Sequence, residues 1–491
     1  MITKYASETV GSENWNNIQW KEIYKTVRLL QERIVKAKQK GQNRKVKSLQ
    51  FILTKSFSAK LLAVKRVTEN KGKRTSGVDH QLWSTANSKW QAALNLKSKD
   101  YKASPLRRVS IPKSNGKTRE LGIPTIRDRA FQALYLMALE PLAETTADRN
   151  SYGFRSKRSC ADAIRQCFIV LGRKSSAQWV LEGDIKGCFD HISHEWLLDN
   201  IPLNRKILKQ WLKCGFIEGD NLFCTKSGTP QGGIISPTLA NMTLDGMERI
   251  IDLAGDVTKY TKTGEKRNNK YQVHFVRYAD DFIVTCNDRD VLENQIKPAI
   301  IKFLKERGLV LSEEKTKIVH IDDGFDFLGQ NVRKYKGKCL IKPSKKSFNA
   351  NVQKLRRLIK ENKSKSSAKL IRILNPIIRG WSNYHRKIIS SRAFAKLDSI
   401  IFRSIWNWAK RRHTTKSKGW IKQKYFTSIG NKNWIFFGNL KEKTFTLFSA
   451  QSIKIVRHLK IRNTANPFDY CWKDYFVARK RNGTDMQCRV I

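Results

Sequence analysis

The chain has 491 residues, 40% of them hydrophobic: enough for several domains and too apolar for a disordered chain. Its 96 Lys and Arg against 42 Asp and Glu leave a formal charge of +54, which self-repulsion disfavours and a polyanionic partner explains, nucleic acid before a membrane surface. No apolar run approaches the roughly 20 residues of a membrane-spanning helix, and nine scattered cysteines without a CxxC pair argue against zinc and for reduced thiols.

Apolar residues at Trp20, Ile23, Tyr24, Val27, Leu30 and Ile34 predict a helix, and a second stripe runs Val46, Leu49, Leu53, Phe57, Leu61 and Val64. A basic loop, Lys71 to Asp79, follows. Arg107 to Pro124 reads as a hairpin turning at Ser-Asn-Gly, and Asp128 to Leu142 as a helix. A short strand starts at Trp179 and ends at Asp184. Loop residues fill Asn221 to Gly233, and Pro237 to Met247 is helical. The stretch HFVRYADDFIVTC, His274 to Cys286, forms strand–turn–strand. LVLS and KIVHI are strands, and FDFLGQNVRKY with KCLIK is another hairpin. Three helices then run from Phe348 to Trp408 as a small bundle. From Ile341 to Ile491 there are 36 Lys and Arg against 6 Asp and Glu, a net +30, so the end of the chain reads as a binding module.

Asp280 and Asp281 are adjacent at a hairpin tip between apolar strands, and Asp184 closes another strand. An ordinary surface turn would account for a lone Asp pair. Three clustered carboxylates would raise one another's pKa unless a hard divalent cation relieves them. Two such cations about 3.5–4 Å apart clamp the oxygens of an in-line phosphoryl displacement.

YADD, Tyr278 to Asp281, resembles the catalytic motif of reverse transcriptases. RRVSIPKSNGKTRELGIPTIRDRA, DRNSYGFRSKRSC, EGDIKGCFDHISHEWL, SGTPQGGIISPTLANM, VRYADDFIV, GLVLSEEKTKI, GFDFLG and IRGWSNYH resemble, in the same order, the group II intron-encoded reverse transcriptase/maturases. The resemblance implies an α+β right-hand polymerase: fingers, a palm with an antiparallel sheet, a three-helix thumb and a basic C-terminal DNA-binding region. The implied domains are a helical extension (1–76), fingers and palm (77–341), thumb (342–413) and DNA-binding domain (414–491).

The resemblance also implies roles. Asp184 and Asp280, with Asp281 supporting and the Ile185 carbonyl contributing, hold two Mg²⁺ ions, Mn²⁺ being a substitute. Lys113 and Arg119 grip the dNTP triphosphate, Phe189 excludes a 2′-OH, and Gln231 and Gly232 hold the pairing nucleotide. Lys315 protonates the leaving pyrophosphate, with Lys317 as the alternative. Arg155 meets the template. Arg379, Arg386, Lys387, Lys410, Arg411 and Arg412 meet RNA; plain solvated faces are the alternative for such charges. Trp381 and Tyr384, three apart on a helix, read as core.

Implied partners are group II intron RNA, an RNA template with a DNA primer, target DNA and dNTPs. Cys471 and Cys488 are too far apart for a CxxC site, so the expectation is a form lacking the HNH endonuclease. The first residues carry neither an apolar h-region nor a transit composition, so a bacterial cytoplasmic ribonucleoprotein is expected, with an organelle as the alternative. Rival functions are a splicing cofactor whose polymerase activity is dispensable and a domesticated or defence reverse transcriptase.

Overall fold

The computed structural model describes residues 13–112, 116, 118–257, 259–260 and 266–488. The chain forms two compact units. The first comprises residues up to Ala163, Trp179–Ile318 and Ile461–Lys480; the second comprises Ile164–Gln178, Val319–Lys460 and residues from Arg481 onward.

The first unit is built on the helix Ile126–Thr146. Its sequence is apolar on nearly every face, so it is buried all round as a core helix must be. Thr125 starts it by accepting the Asp128 amide at 3.1 Å on its hydroxyl oxygen. The amphipathic helices Trp20–Gln39, Asn43–Lys55 and Phe57–Glu69 turn Val27, Ile34, Leu49, Leu53 and Ala63 into the same core as Phe131, Leu134 and Leu139. The stripe from Val46 to Val64 is two helices, not one. Ser56 between them is extended (ψ 128°), and its amide bonds back to the Ile52 and Leu53 carbonyls. The apolar phase continues across the break, which hid it.

Two four-stranded sheets complete this unit. One runs Thr118–Ile123, Leu106–Pro112, Phe216–Glu218, Asn221–Phe223. In the other, Trp179–Gly183, Asp281–Cys286 and His274–Tyr278 pair in that order, with Lys317 and Ile318 at its edge. The expected helix Pro237–Met247 is Ser236–Leu244, followed after Gly246 (φ 95°) by Met247–Ala254. Of LVLS only Leu311 pairs, opposite Ile185.

The second unit holds an antiparallel sheet, Phe325–Phe327, Gln330–Tyr335 and Lys338–Pro343, then the helices Lys345–Glu361, Ser367–His385 and Ser391–Arg412. Ser344 and Ser366 cap the first two helices by accepting the Ser347 and Lys369 amides. Leu355, Leu374, Phe394, Leu397, Ile401 and Ile405 interdigitate in their core.

The stretch 414–491 is not one domain. Ile421, Tyr425, Phe426 and Phe436, from the helix Lys418–Tyr425 and the sheet Phe426–Ile429, Lys432–Leu440, Lys443–Thr446, join the three-helix core. Ile461–Lys480 instead belongs to the first unit. Buried aromatics in one segment and buried polar contacts in the other divide a stretch that is uniformly basic in sequence.

Candidate active site

Register brings the carboxylates together. Gly183 faces Phe282 across one strand pair and Tyr278 faces Asp281 across the next. Asp184, one residue beyond Gly183, therefore arrives beside the Tyr278–Asp281 turn. Ala279 makes that turn with φ +59°, a conformation unusual without a glycine. A Cβ on Gly183 would stand 2.2 Å from Phe282 Cζ, so only glycine lets that ring cross the strand end.

The site is short of positive charge on its carboxylates. Asp280 is pushed above the ordinary carboxylate range by burial and then by Asp184, against the opposing pull of Arg119 and Lys315. Burial, then the like charges of Asp280 and Asp184, push Asp281 up to about 6. Lys315 Nζ donates to Asp184 Oδ2 at 2.7 Å, and that bond pushes the ammonium's pKa up.

The donor set fits a hard divalent cation. It is all oxygen, and the Lys315 ammonium already takes the cation's place at Asp184. The Ile185 carbonyl turns away from the Leu311 segment. Lys186 N–H to Val310 O and Ser312 N–H to Asp184 O flank the Ile185–Leu311 pair. In such a non-hydrogen-bonded antiparallel pair, the residue's own carbonyl turns away from its partner strand. Among the described residues no three His, Cys, Asp or Glu side chains gather closely enough to make a protein-only metal site.

The expected nucleotide residues form a connected chain. Arg119 Nε donates to Gln231 Oε1 at 2.7 Å, and Gln231 Nε2 to Asp190 Oδ1 at 2.8 Å. Gly232 has φ +130°, and a Cβ there would lie 2.8 Å from Gly122 O, so the loop is pressed against the hairpin carrying Arg119. Phe189 packs edge-to-face on Phe154, with centroids 6.2 Å apart. Lys113 lies outside the described residues. Asp190 was not singled out from sequence; its place six residues after Asp184 was the available signal.

Arg155 is a correction. It is buried, with Nε and Nη2 on the Glu144 carboxylate at 2.8 and 2.7 Å and Nη1 on the carbonyls of Asp148 and Ser151. All three guanidinium nitrogens are committed inside the protein, so Arg155 is not a template contact.

Sequence reasoning also missed what lies beneath the YADD turn. Arg277 is fully buried and meets Asp245 at 2.5 Å and Asn241 at 3.2 Å. Its amide donates to Asn150 O, and its carbonyl accepts from the Tyr152 amide, both at 2.9 Å. A Cβ on Gly153 would come 2.3 Å from Ala279 N. The segment Asn150–Gly153 is thus a platform on which the turn rests. An arginine inside an otherwise apolar strand was the available signal.

In the second unit, Arg379, Lys387, Lys410, Arg411 and Arg412 are exposed and Arg386 is half-buried. Arg379 lies over the Phe448 ring at 4.8 Å. Arg412 donates to the Lys363 and Lys365 carbonyls and lies 4.6 Å from the Trp408 ring, so it ties a loop as well as presenting charge. A groove of about 730 Å³ is lined by Arg356, Lys360, Lys363, Arg403, Arg411 and Arg412, with no acidic residue in its lining. Trp381 packs among Phe348, His385 and Phe394, as core. Tyr384 is 42% exposed, with its hydroxyl on Leu328 O at 2.8 Å, so it is not core.

Three family models match the chain: reverse transcriptase (RNA-dependent DNA polymerase) over residues 111–332, the N-terminal domain of reverse transcriptase over 15–96, and the group II intron maturase-specific domain over 348–426. Protein YkfC of Escherichia coli is 34% identical over 301 residues, covering 54% of this chain and 78% of that protein. The group II intron-encoded protein LtrA of Lactococcus lactis is 32% identical over 331 residues, 55% of this chain and 54% of LtrA, so the match spans about half of that relative. Maturase-like protein 1 of Euglena gracilis is 24% identical over 76% of this chain and 77% of its own. A Candida albicans telomerase structure covers 68% of this chain and 64% of its own at 14% identity, with a TM-score of 0.36, too slight a likeness to carry an argument. The chain belongs to the reverse transcriptases, RNA-directed DNA polymerases that use divalent metal ions, and it carries the group II intron maturase domain. No described helix is long and apolar enough to cross a membrane.

Proposed function

We propose that this chain extends a DNA primer along an RNA template and, through its maturase helices, holds a group II intron RNA for splicing and mobility. The observation that carries the reading is the convergence of Asp184, Asp280 and Asp281 on one sheet end, with Lys315 bonded to Asp184. Asp184 and Asp280 are the principal ligands of two Mg²⁺ ions, or Mn²⁺ in their place, with Asp281 and the Ile185 carbonyl in support. Bound there, the metal supplies charge stabilisation for in-line phosphoryl transfer from a dNTP to the primer 3′-OH. Lys315, bonded to Asp184, would be the group that gives a proton to the leaving pyrophosphate.

Arg119 and Lys113 grip the triphosphate, Gln231 and Gly232 hold the nucleotide against its template partner, and Phe189, braced by Phe154, fills the space a 2′-OH would need. Lys410, Arg411 and Arg412 line or flank the cationic groove, and with Arg379, Arg386 and Lys387 they take RNA phosphates. The +30 of the C-terminal part serves target DNA as well. The working state is a ribonucleoprotein, in a bacterial cytoplasm or an organelle.

The groove favours a second reading alongside the first, a splicing cofactor that stabilises folded intron RNA without using its polymerase centre. Primer extension and splicing of an intron RNA are measured on one preparation. Asp280→Ala with Asp281→Ala is expected to abolish dNTP incorporation and spare splicing; Lys410→Gln with Arg411→Gln is expected to do the reverse. Incorporation that survives in the double aspartate variant contradicts the polymerase reading.

A further inference from the structure

The segment Ile461–Lys480 lies beyond every residue matched by the reverse transcriptase and maturase models, which end at 332 and 426. It is nevertheless fastened into the polymerase unit. Ile461, Ala465, Asn466, Phe468 and Asp469 are buried. Fully buried Asp162 accepts the Ile461 amide and Arg479 Nη2, both at 2.8 Å. Arg158 Nη2 donates to the carbonyls of Asn463 and Ala465 at 3.1 and 3.2 Å. Asn466 Nδ2 reaches Thr145 Oγ1 at 3.1 Å, and Gln39 Nε2 reaches Asp469 Oδ2 at 2.8 Å.

One contact leads to the catalytic turn. Asn463 Nδ2 donates to Asn150 Oδ1 at 3.0 Å. Asn150 Nδ2 donates to Glu248 Oε1 at 2.7 Å, so both polar ends of the Asn150 side chain are held. The Asn150 carbonyl accepts the Arg277 amide, and Arg277 lies three residues before Asp280 in the strand that enters the turn. Gly153, three residues after Asn150, is pressed against Ala279 in that turn.

We propose that Ile461–Lys480 is a strap that positions the polymerase centre, with Asn463 as its positioning residue acting through Asn150 on the Tyr278–Asp280 turn. A misplacement of a catalytic carboxylate by about an ångström costs up to about a hundredfold in rate, whereas the groups that grip the dNTP, on other elements, are untouched. The strap therefore governs the chemical step and not nucleotide affinity.

The inference rests on the polymerase reading, and wild-type incorporation tests that reading in a separate arm. In the full chain, Asn463→Ala is expected to lower single-turnover incorporation at saturating dNTP about tenfold, with the dNTP KM changed less than about twofold. Asn463→Asp sets a carboxylate against Asn150 Oδ1 and is expected to be slower still. Gln39→Ala removes a different strap anchor, the bond to Asp469, which does not involve Asn150, and is expected to stay within about twofold of wild type. Amide exchange at Tyr152, which is read without any activity, is expected to quicken in Asn463→Ala and not in Gln39→Ala. If Asn463→Ala does not fold, Asn463→Ser replaces it in both readouts. Wild-type rates and exchange in the Asn463 variants overturn the proposal. So does a loss that falls on KM, or one that Gln39→Ala shares in proportion to its fall in Tm.

Discussion

The Lys315 ammonium lies 2.7 Å from Asp184 Oδ2, joining residues 131 positions apart in sequence. A cation bound at Asp184 must compete with this ammonium, so on the proposed roles the same lysine would oppose metal binding and serve the chemistry. Lys315→Gln is expected to tighten divalent-metal binding in the absence of dNTP by a few fold, while lowering single-turnover incorporation about a hundredfold, the scale of a lost general acid. Isothermal titration and rapid-quench rates check the two halves. Lys317→Gln, at the neighbouring lysine, is expected to change neither; a larger rate loss there would move the proton donor to Lys317.

On the proposed metal role, Asp281 is expected to contribute to the pH dependence of metal binding. Its folded pKa, about 6, lies above the ordinary aspartate value of 3.8, so the metal-free fold holds that proton more tightly than the unfolded chain. As pH rises from about 4 to about 6 the unfolded chain releases the proton first, and this group's contribution to stability is lost across that window. Metal binding has the opposite sense, because the ion requires the carboxylate. Affinity is expected to rise about tenfold per pH unit below about 6 and to level off above it. Asp281→Asn is expected to make the profile shallower without flattening it, because Asp280 is also held above the ordinary carboxylate range; a profile that is already flat in the wild type contradicts the assignment.

Arg155 matters for stability and not for template affinity. Breaking a buried pair by removing one partner costs about 3–5 kcal/mol, since the other charge stays buried. Glu144 keeps Arg158 at 3.2 Å, so Arg155→Ala is expected to lower unfolding free energy by somewhat less than that in a denaturant titration. Whatever protein remains folded should bind template with unchanged affinity. Adding Glu144→Leu to Arg155→Met is expected to deepen the loss, because buried Arg158, whose Nη2 lies 3.2 Å from Glu144 Oε1, then loses its carboxylate.

Much of the centre was legible because its signals are local. Asp280 and Asp281 sit in a turn that their flanking strands announce, and Asp184 ends a short apolar run. The paired strands of the first hairpin and the helix periods were legible for the same reason, while the residues of its turn lie largely outside the described ones. Arg155 was misread because its partner Glu144 is 11 residues away on a helix whose burial only tertiary packing decides. The break at Ser56 was hidden by an apolar stripe that stays in phase across it. The strap was invisible because its contacts, such as Asn463 with Asn150 across 313 residues, have no local signature, and its basic composition looked like that of the neighbouring segment.

Gly153 carries a further test of the platform. Gly153→Ala would force its Cβ, built at 2.3 Å from Ala279 N, to displace the turn backbone. Incorporation is expected to fall about a hundredfold, the scale of a displaced catalytic group, with RNA binding by the second unit preserved. Primer extension beside a filter-binding assay distinguishes this from a general loss of folding.

The account's central claim is that Asp184 and Asp280 are the principal metal-holding pair and Asp281 their support. It is tested most directly by Mg²⁺ titration of single-turnover dNTP incorporation on an RNA template in wild type, Asp184→Asn, Asp280→Asn and Asp281→Asn. The account predicts Mg²⁺-dependent incorporation in the wild type, losses of about a thousandfold or more for the first two variants, and a smaller loss with weakened Mg²⁺ dependence for Asp281→Asn. Near-wild-type incorporation in Asp184→Asn or Asp280→Asn, or wild-type incorporation that proceeds without a divalent ion, would contradict it.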